Sequence, residues 1–242
     1  MIDLHIHILP GLDDGAETME DALEMARISA ESGVDTVVAS SHGSFDGYEP
    51  EELYERYERK FQAFRERLSE EEIPLKVCRG MEWLVNDRLL RYIRERKLPT
   101  INGGGYLLVE FWFDSSRRYV MSALEKLSEA GYKLVLAHPE RYDFVRRSPE
   151  ILIELYRQEI ILQVNKGSLR GEFGRGAFRA ADYMLAKGLA GAVASDAHDP
   201  VLRSPELEET ARILDLHYGG DASEILLEET PLYILKKYKQ RD

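Results

Sequence analysis

Cysteine is almost absent from this sequence, because Cys78 is the only one among 242 residues. A single cysteine cannot form an intramolecular disulfide, which fits a reducing compartment. Long hydrophobic runs are missing as well, and no apolar segment approaches the roughly 20 residues that a membrane-spanning helix needs. The first residues include the acidic Asp3 and no basic cluster, so no signal peptide is predicted. We therefore expect a cytoplasmic protein with no segment inserted in a membrane.

Positive charge is also scarce, and the formal net charge is −12. A protein that binds double-stranded nucleic acid ordinarily presents a basic surface, so nucleic acid is disfavoured as a partner. Bound metal ions would, however, neutralise part of an acidic site. Two short basic runs, Arg117-Arg118 and Arg146-Arg147, are interpreted as solvated helix faces.

What the sequence does contain is a regular alternation of short apolar runs with longer amphipathic segments. Near-continuous apolar runs are typical of strands in parallel sheets that helices cover on both faces. The seven runs span residues 1–8, 36–41, 76–83, 106–111, 133–137, 160–165 and 191–195.

The segments between the runs carry helical signals. Thr18 and Asp21 form a weak capping box at the start of one helix. Gly131 follows another apolar stripe and has the place of a helix C-terminal glycine. The segment after the second run has a stripe that we interpret as core, formed by Leu53, Tyr57, Phe61, Phe64 and Leu68.

Alternating strands and helices predict an α/β protein with a parallel sheet. Seven such units in 242 residues suggest one domain, spanning residues 1–242, that forms a closed or nearly closed (β/α) barrel. A doubly wound open sheet is the alternative.

Five of the six histidines lie in or directly after an apolar run. His5 and His7 are two residues apart in the first run, so both side chains lie on one face of a strand. His42, His138 and His198 follow the second, fifth and seventh runs. Two imidazoles on one strand face form half of a metal site, because imidazole nitrogen is a common metal ligand.

Carboxylates follow the same rule. Glu82, Glu110 and Asp196 lie at the ends of the third, fourth and seventh runs. A buried ionised carboxylate is costly unless it is paired or bound to metal. In a barrel the C-terminal ends of the strands converge at one mouth. A single residue of this kind is ordinarily structural, but the set as a whole indicates a metal centre.

Two other parts of the sequence do not follow the pattern of ligand-type residues at strand ends. Asp13-Asp14-Gly15 in the first loop is either a turn, which Asp-Gly favours, or a source of acidic ligands beside His5 and His7. His217 has no place at a strand end and is interpreted as a structural or surface residue.

Taken in order, these motifs resemble the polymerase-and-histidinol-phosphatase superfamily, and within it the bacterial protein-tyrosine phosphatases of capsule and exopolysaccharide operons. The resemblance extends over nearly the whole chain. It is carried by the segments HIHILPGLDDG from residue 5, LPTIN from residue 98, VEF from residue 109, AHPERY from residue 137, QVN from residue 163 and ASDAH from residue 194.

The resemblance implies a distorted seven-stranded barrel and three metal sites built from His and carboxylate ligands. The implied ligand sets are His5, His7, Glu82 and Asp196 for the first metal, Glu82, Glu110 and His138 for the second, and Asp14, His42 and His198 for the third. Nitrogen and oxygen ligands without thiolate suit Mn, which we expect first, or Fe, Zn or Co.

The resemblance also implies catalytic roles and a substrate. Arg141 matches a phosphate-binding arginine, Arg203 aligns more loosely as a second one, and Glu82 and His42 join them in catalysis. The implied activity is hydrolysis of phosphotyrosine on an autophosphorylated bacterial tyrosine kinase of polysaccharide synthesis. The alternatives are a small-molecule phosphatase, such as one acting on histidinol phosphate, and a metal-bound non-catalytic module. Homo-oligomerisation stays open.

A thiol-based tyrosine phosphatase is excluded, because such an enzyme needs an arginine six residues after its cysteine, where this chain has Leu84 after Cys78. Cys78 is therefore interpreted as a strand or core residue. The loop after His42 and residues 111–117 depart from the family pattern. They carry four aromatic residues that either contact a tyrosyl ring or pack on the barrel top: Phe45, Tyr48, Trp112 and Phe113.

Overall fold

The computed structural model describes residues 1–45, 47 and 49–236. Within these residues, strands and helices alternate along the chain. The strands are β1 Ile2–Ile6, β2 Thr36–Ala39, β3 His42–Gly43, β4 Lys76–Arg79, β5 Glu82–Leu84, β6 Tyr106–Glu110, β7 Lys133–Ala137, β8 Ile161–Asn165 and β9 Ala190–Ala194.

The helices lie between and after these strands. They are α1 Met19–Glu31, α2 Pro50–Glu70, α3 Asp87–Tyr92, α4 Arg117–Glu129, α5 Asp143–Arg147, α6 Ile151–Arg157, α7 Lys166–Leu169, α8 Gly174–Ala186, α9 Glu208–Tyr218, α10 Ala222–Glu224 and α11 Thr230–Leu235. Short 3-10 turns at Ile101–Gly103 and Pro139–Arg141 and a π-helical turn at Ile225–Glu229 complete the described elements.

The strands form two sheets, with the orders β1-β2-β4 and β3-β5-β6-β7-β8-β9. Each strand pair among the described residues is parallel. The predicted α/β class with parallel sheets is confirmed, and each of the seven apolar runs overlaps a strand. The third run contains β4 and the start of β5, which belong to different sheets, and β3 follows directly after the second run.

The side chain of Ser40 lies at the break between β2 and β3. Its Oγ accepts a hydrogen bond from the amide of Ile6 at 2.8 Å, in place of a backbone carbonyl. Beyond this point the chain pairs with the other sheet, since the amide of Glu82 lies 3.2 Å from the carbonyl oxygens of Ser40 and Ser41. Strands β3 and β5 begin at the ligand-type residues His42 and Glu82, which are paired in register.

Backbone hydrogen bonds also join the first strand to the segment after the last one. The amide of Asp196 donates to the carbonyl of His5 at 2.8 Å, and the amide of His7 donates to the carbonyl of Ala197 at 2.9 Å. Residues from the two ends of the sequence are thus held side by side.

The predicted helical signals agree with the structure. Thr18 and Asp21 form the reciprocal capping box of α1. Gly131 follows α4 with φ +91°, a left-handed conformation that glycine adopts without a side-chain clash. The predicted core stripe of α2 is buried. Cys78 lies in β4 and is buried in a cluster with Leu4 and Val38, as expected for a core residue.

Within the described part of the chain, we find no helix that combines the length and apolar character needed to cross a membrane.

Candidate metal centre

The histidines of the first strand form the floor of the candidate site. Nε2 of His5 lies 3.1 Å from Nε2 of His7, and both side chains are fully buried. Strand alternation places them on one face, as predicted. Two nitrogen atoms that face each other at this distance require a shared proton or a cation between them.

Glu82 is the carboxylate that joins the histidines. Its Oε2 lies 3.1 Å from Nε2 of His5, 3.3 Å from Nε2 of His7 and 3.2 Å from Nδ1 of His42. Its Oε1 pairs with Nε2 of His138 at 2.9 Å. One buried carboxylate therefore contacts four imidazoles, which three different strand ends supply.

Asp196 closes the cluster from the opposite side. Its Oδ1 lies 3.4 Å from Nε2 of His5 and 3.5 Å from Nε2 of His7. Asp196 has φ +50° and His138 has φ +34°, which are left-handed conformations that non-glycine residues rarely adopt. Strained backbone of this kind concentrates at functional sites, because the surrounding structure must hold it in place.

An outer group lies nearer the solvent. Nε2 of His42 is 3.2 Å from Oδ1 of Asp14, and Nδ1 of His42 is 3.0 Å from Oε1 of Glu110. Nε2 of His198 lies 3.5 Å from the same oxygen of Asp14. His42 thus bridges the inner carboxylates and the exposed Asp14.

Every ligand-type residue predicted from the sequence takes part in at least one cluster whose donor atoms lie within 4.8 Å of one another. The clusters are His7, Asp14, His42 and His198; His5, His7 and Asp196; His5, Glu82 and His138; and His42, Glu82 and Glu110. These clusters contain the same residues as the implied ligand sets but group them differently. His42 lies with Glu82 and Glu110, and His138 lies with His5 and Glu82.

The donor atoms fit a metal centre better than a hydrogen-bonded cluster. Although three imidazole nitrogens surround Oε2 of Glu82, none of these contacts has hydrogen-bond geometry, and among the described residues this oxygen has no hydrogen-bond partner. A buried carboxylate oxygen without a donor is costly. Nitrogen and oxygen donors that converge on a common point without aligned protons are the arrangement that divalent cations stabilise.

The electrostatics of the cluster show how strongly it favours positive charge. Burial alone would lower the pKa of His7, but the neighbouring carboxylates of Asp13, Asp196 and Glu82 raise this pKa well above its ordinary value. The pKa of His42 is raised in the same way, against burial, by Asp14, Glu110 and Glu82. Protonated imidazoles therefore neutralise the carboxylates when no cation is bound.

The pKa of His198 is shifted in the opposite direction. Burial, followed by the positive charge of His7, lowers the pKa of His198 to about 3, although Asp196 opposes the shift. The contact with the His42 imidazole lowers the pKa of Asp14 to about 2. His198 is thus neutral and Asp14 is ionised near neutral pH, and both are in the form that binds a cation.

Three polar residues support the ligand-type side chains. The sequence offered Asp13 as a source of acidic ligands, whereas Gln163 and Asn165 were not marked as site residues. Oδ2 of Asp13 accepts from Nδ1 of His7 at 2.8 Å, Oε1 of Gln163 lies 3.0 Å from Nδ1 of His5, and Nδ2 of Asn165 donates to Asp196 at 2.5 Å. The alternation of Gln163 and Asn165 in β8 was the available signal, because both face the same side of that strand.

A cavity of about 560 Å³ lies above the cluster. Arg141 and Arg203 both line it, and both approach Oδ2 of Asp196, at 3.6 Å from Arg141 and 2.7 Å from Arg203. The looser alignment of Arg203 therefore led to a residue at the site. Arg117 does not line this cavity and pairs with Glu154 at 2.7 Å.

The three described aromatic residues of the two loops differ in their environment. Trp112 and Phe113 line the cavity, and Trp112 is 63% exposed. Phe45 is buried against Trp83, so for this residue the interpretation as a packing residue is correct. Tyr48 lies outside the described residues. His217 is exposed in α9 and is not part of the site, as expected.

Parallel strands whose C-terminal ends carry a buried His–carboxylate cluster, below a cavity lined by two arginines, define an α/β protein with a metal-type site. The chain belongs to the capsular polysaccharide synthesis family CpsB/CapC, whose model matches residues 1–236.

Two related proteins match this chain over almost its whole length. It is 34% identical over 236 residues to the tyrosine-protein phosphatase YwqE of Bacillus subtilis, covering 97% of this chain and 91% of that protein. It is 30% identical over 240 residues to the tyrosine-protein phosphatase CpsB of Streptococcus pneumoniae, covering 97% and 98%.

Solved structures agree with this family. A chain from the crystal structures of YwqE from Bacillus subtilis and CpsB from Streptococcus pneumoniae, described as unique metal-dependent tyrosine phosphatases, matches with a TM-score of 0.86 and 31% identity. The match covers 100% of this chain and 97% of that one. A lactonase from Listeria monocytogenes, with a TM-score of 0.63, 11% identity and coverage of 98% and 95%, shares the fold alone.

Proposed function

We propose that this protein is a metal-dependent protein-tyrosine phosphatase. The observation that carries the proposal is the arrangement of the cavity, in which a His–carboxylate cluster forms the floor and Arg141 and Arg203 stand beside it. The proposal is supported by the relatives, which are named tyrosine-protein phosphatases and are matched over almost their full length.

Three divalent metal ions are proposed at the cluster, with Mn as the first choice and Fe, Zn or Co as alternatives. The proposed ligands are His5, His7, Glu82 and Asp196; Glu82, Glu110 and His138; and Asp14, His42 and His198. Support comes from the short distances around Glu82, whose two oxygens together contact four imidazoles. When bound, such ions supply an activated water molecule and neutralise charge on phosphoryl oxygens.

The protein's own side chains would then bind and orient the phosphate. Arg141 and Arg203 present guanidinium N–H groups to the cavity and would hold two phosphoryl oxygens, because a guanidinium donates charge-assisted hydrogen bonds in a fixed plane. Glu82 would hold the histidines in one arrangement. His42, which is half-buried between the inner carboxylates and Asp14, would orient the groups at the solvent side of the cluster.

A phosphotyrosine ester places limited demands on acid catalysis. Tyrosine has a pKa of about 10, so phenolate leaves far more readily than an alkoxide. The exposed indole of Trp112 and the ring of Phe113 at the cavity wall suit a flat aryl group. We propose a phosphotyrosine-bearing protein as the substrate, and specifically the tail of an autophosphorylated bacterial tyrosine kinase that controls capsular or extracellular polysaccharide synthesis.

The closure of the barrel, its number of strands and the domain bounds are part of the same proposal. We propose one cytoplasmic domain, residues 1–242, in which β2 with β3 and β4 with β5 act as two interrupted strands of a distorted seven-stranded barrel. The hydrogen bonds from Asp196 to His5 and from His7 to Ala197 support closure between the first and last strands. The seven-strand count also matches the seven apolar runs.

The decisive experiment compares substrates at defined metal content. A phosphotyrosine peptide, a phosphoserine peptide of the same sequence and histidinol phosphate are each incubated with protein loaded with Mn, Fe, Zn or Co. We expect the phosphotyrosine peptide to have the highest kcat/KM. Equal or faster turnover of histidinol phosphate would move the chain to the small-molecule phosphatases. Absence of turnover with every metal would support a non-catalytic module.

A further inference from the structure

Two aromatic rings from separate loops contact the guanidinium of Arg141. Its Cζ lies 4.3 Å from the ring centroid of Phe113, which follows β6, and 4.1 Å from the ring centroid of Phe173, which precedes α8. Both distances are well within the roughly 6 Å at which a cation–π interaction is effective. We call Phe113 and Phe173 the ring pair.

The ring pair holds the arginine without using its hydrogen-bond donors. A guanidinium has five N–H groups in one plane, whereas aromatic contact involves the faces of the rings. Among the described residues, the Arg141 side chain makes no hydrogen bond, and its Nη1 stays 3.6 Å from Oδ2 of Asp196. Arg203, in contrast, donates to the same oxygen at 2.7 Å.

Arg141 is therefore restrained and still has its donors available. Its side chain is only 20% exposed and lines the cavity above the metal-type cluster. A long side chain whose charged end has no contacts loses rotamer freedom when it binds an anion, and this loss of entropy weakens binding. The ring contacts restrict that freedom in advance, so more of the binding energy of an anion is retained.

The backbone around Phe173 is shaped to bring its ring to this place. Gly171 and Gly174 have φ +76° and +83°, so two left-handed glycines flank the Glu172-Phe173 pair. A Cβ atom at Gly167 would lie 2.8 Å from Cε2 of Phe173 and 2.6 Å from Glu172. Only glycine at position 167 leaves room for the ring against α7.

We propose that Phe173 is a positioning residue that holds the Arg141 guanidinium in the plane needed to bind phosphoryl oxygens. This inference rests on the proposed phosphatase function for its biological meaning, but not for the contact itself. Phe173 tests it better than Phe113, because Phe113 also lines the cavity and packs against His138 at a ring distance of 5.7 Å.

The first measurement is binding of inorganic phosphate to the Mn-loaded protein by calorimetry. Phe173→Leu and Phe173→Met should bind phosphate about 3- to 10-fold more weakly, a range typical for loss of one cation–π contact. Phe173→Tyr, which keeps a ring, should restore binding. The matched control is Phe178→Leu, because Phe178 lies on α8 and is 41% exposed. It should bind phosphate like the wild type.

A double-variant cycle separates positioning from general loosening of the loop. In an Arg141→Ala background, Phe173→Leu should have no further effect on phosphate binding. With the phosphotyrosine peptide, Phe173→Leu should raise KM more than it lowers kcat. An equal loss from Phe173→Leu with and without Arg141 would overturn the proposal, and so would unchanged phosphate binding in both the Leu and Met variants.

A spectroscopic readout works without metal and without substrate. In metal-free protein labelled with ¹⁵N-arginine, the Nε–Hε signal of Arg141, assigned through its loss in Arg141→Lys, should carry a ring-current shift. Phe173→Leu should reduce that shift and Phe178→Leu should not, whereas an unchanged shift in Phe173→Leu would refute the contact. If wild-type protein failed to hydrolyse the peptide, the proposed function would fall, while this signal and phosphate binding would still decide the role of Phe173.

Discussion

The carboxylate of Asp13 accepts a hydrogen bond from Nδ1 of His7 at 2.8 Å, and it fixes the face that this imidazole presents to the metal-type cluster. The same oxygen accepts from the backbone amide of His42 at 2.8 Å. One buried carboxylate thus sets the tautomer of one ligand-type histidine and the backbone position of another. Such supporting contacts ordinarily tune metal affinity.

Asp13→Asn should weaken binding of Mn by about 10- to 100-fold, as is typical for loss of a carboxylate behind a metal-bound histidine. The amide keeps the size of the side chain but removes its charge. Metal titration followed by calorimetry measures the effect, and Asp221→Asn, at an exposed position, serves as the control. Equal Mn affinity in Asp13→Asn and the control would mean that Asp13 only shapes the loop.

Phosphatase activity should require metal and not the thiol. Prolonged dialysis against a chelator should abolish turnover of a phosphotyrosine peptide, and Mn should restore it, because the cluster supplies only ligand-type side chains at the cavity floor. Cys78→Ser should stay active, since Cys78 is buried in β4 and does not line the cavity. Turnover that resists chelation and depends on Cys78 would contradict the proposed chemistry.

Metal affinity should rise with pH. The pKa values of His7 and His42 are raised by the neighbouring carboxylates, so both imidazoles carry protons near neutral pH in the metal-free protein. A metal binds only the neutral imidazole, so binding must release these protons, and raising the pH favours the bound state. His198, with a pKa of about 3, releases none.

Calorimetry of Mn binding at pH 6, 7 and 8 checks this direction, with buffers of different ionisation enthalpy to count the protons released. His198→Gln removes a proposed ligand without removing a titrating proton, so it should lower affinity and leave the pH slope unchanged. A flat pH profile would show that the histidines are already neutral before the metal arrives.

Two substitutions should separate phosphate binding from recognition of the aryl ring. Arg141→Ala should lower kcat/KM for every phosphorylated substrate, because the guanidinium of Arg141 is proposed to bind the phosphate. Trp112→Ala should lower kcat/KM for a phosphotyrosine peptide more than for an alkyl phosphate, with a difference of about 2- to 10-fold, as expected for one aromatic contact. The pair is measured with p-nitrophenyl phosphate, the peptide and glycerol phosphate. Equal losses in Trp112→Ala for aryl and alkyl substrates would remove Trp112 from ring recognition.

The order of residues along the chain determined much of the fold. The apolar runs predicted the strands because buried parallel strands need nearly continuous Val, Ile and Leu, and the α2 stripe predicted its core face because a helix repeats every 3.6 residues. The change from one sheet to the other, at the end of the second run and within the third run, was not predictable in this way. The break after β2 coincides with a hydrogen bond from the amide of Ile6 to the side chain of Ser40, which joins residues 34 positions apart.

For the site, the sequence by itself determined which residue types stand at the strand ends. His5 and His7 were assigned to one face by strand alternation, and Glu82, Glu110 and Asp196 stood out because, together with the histidines, they form a set of metal-type ligands at strand ends. Tertiary structure alone decided which of them meet. Glu82 touches His5, His7, His42 and His138 because separate strand ends converge on it. The contact of Phe173 with Arg141 was equally hidden, since a ring and a cation attract through space and leave no periodic signal along the chain.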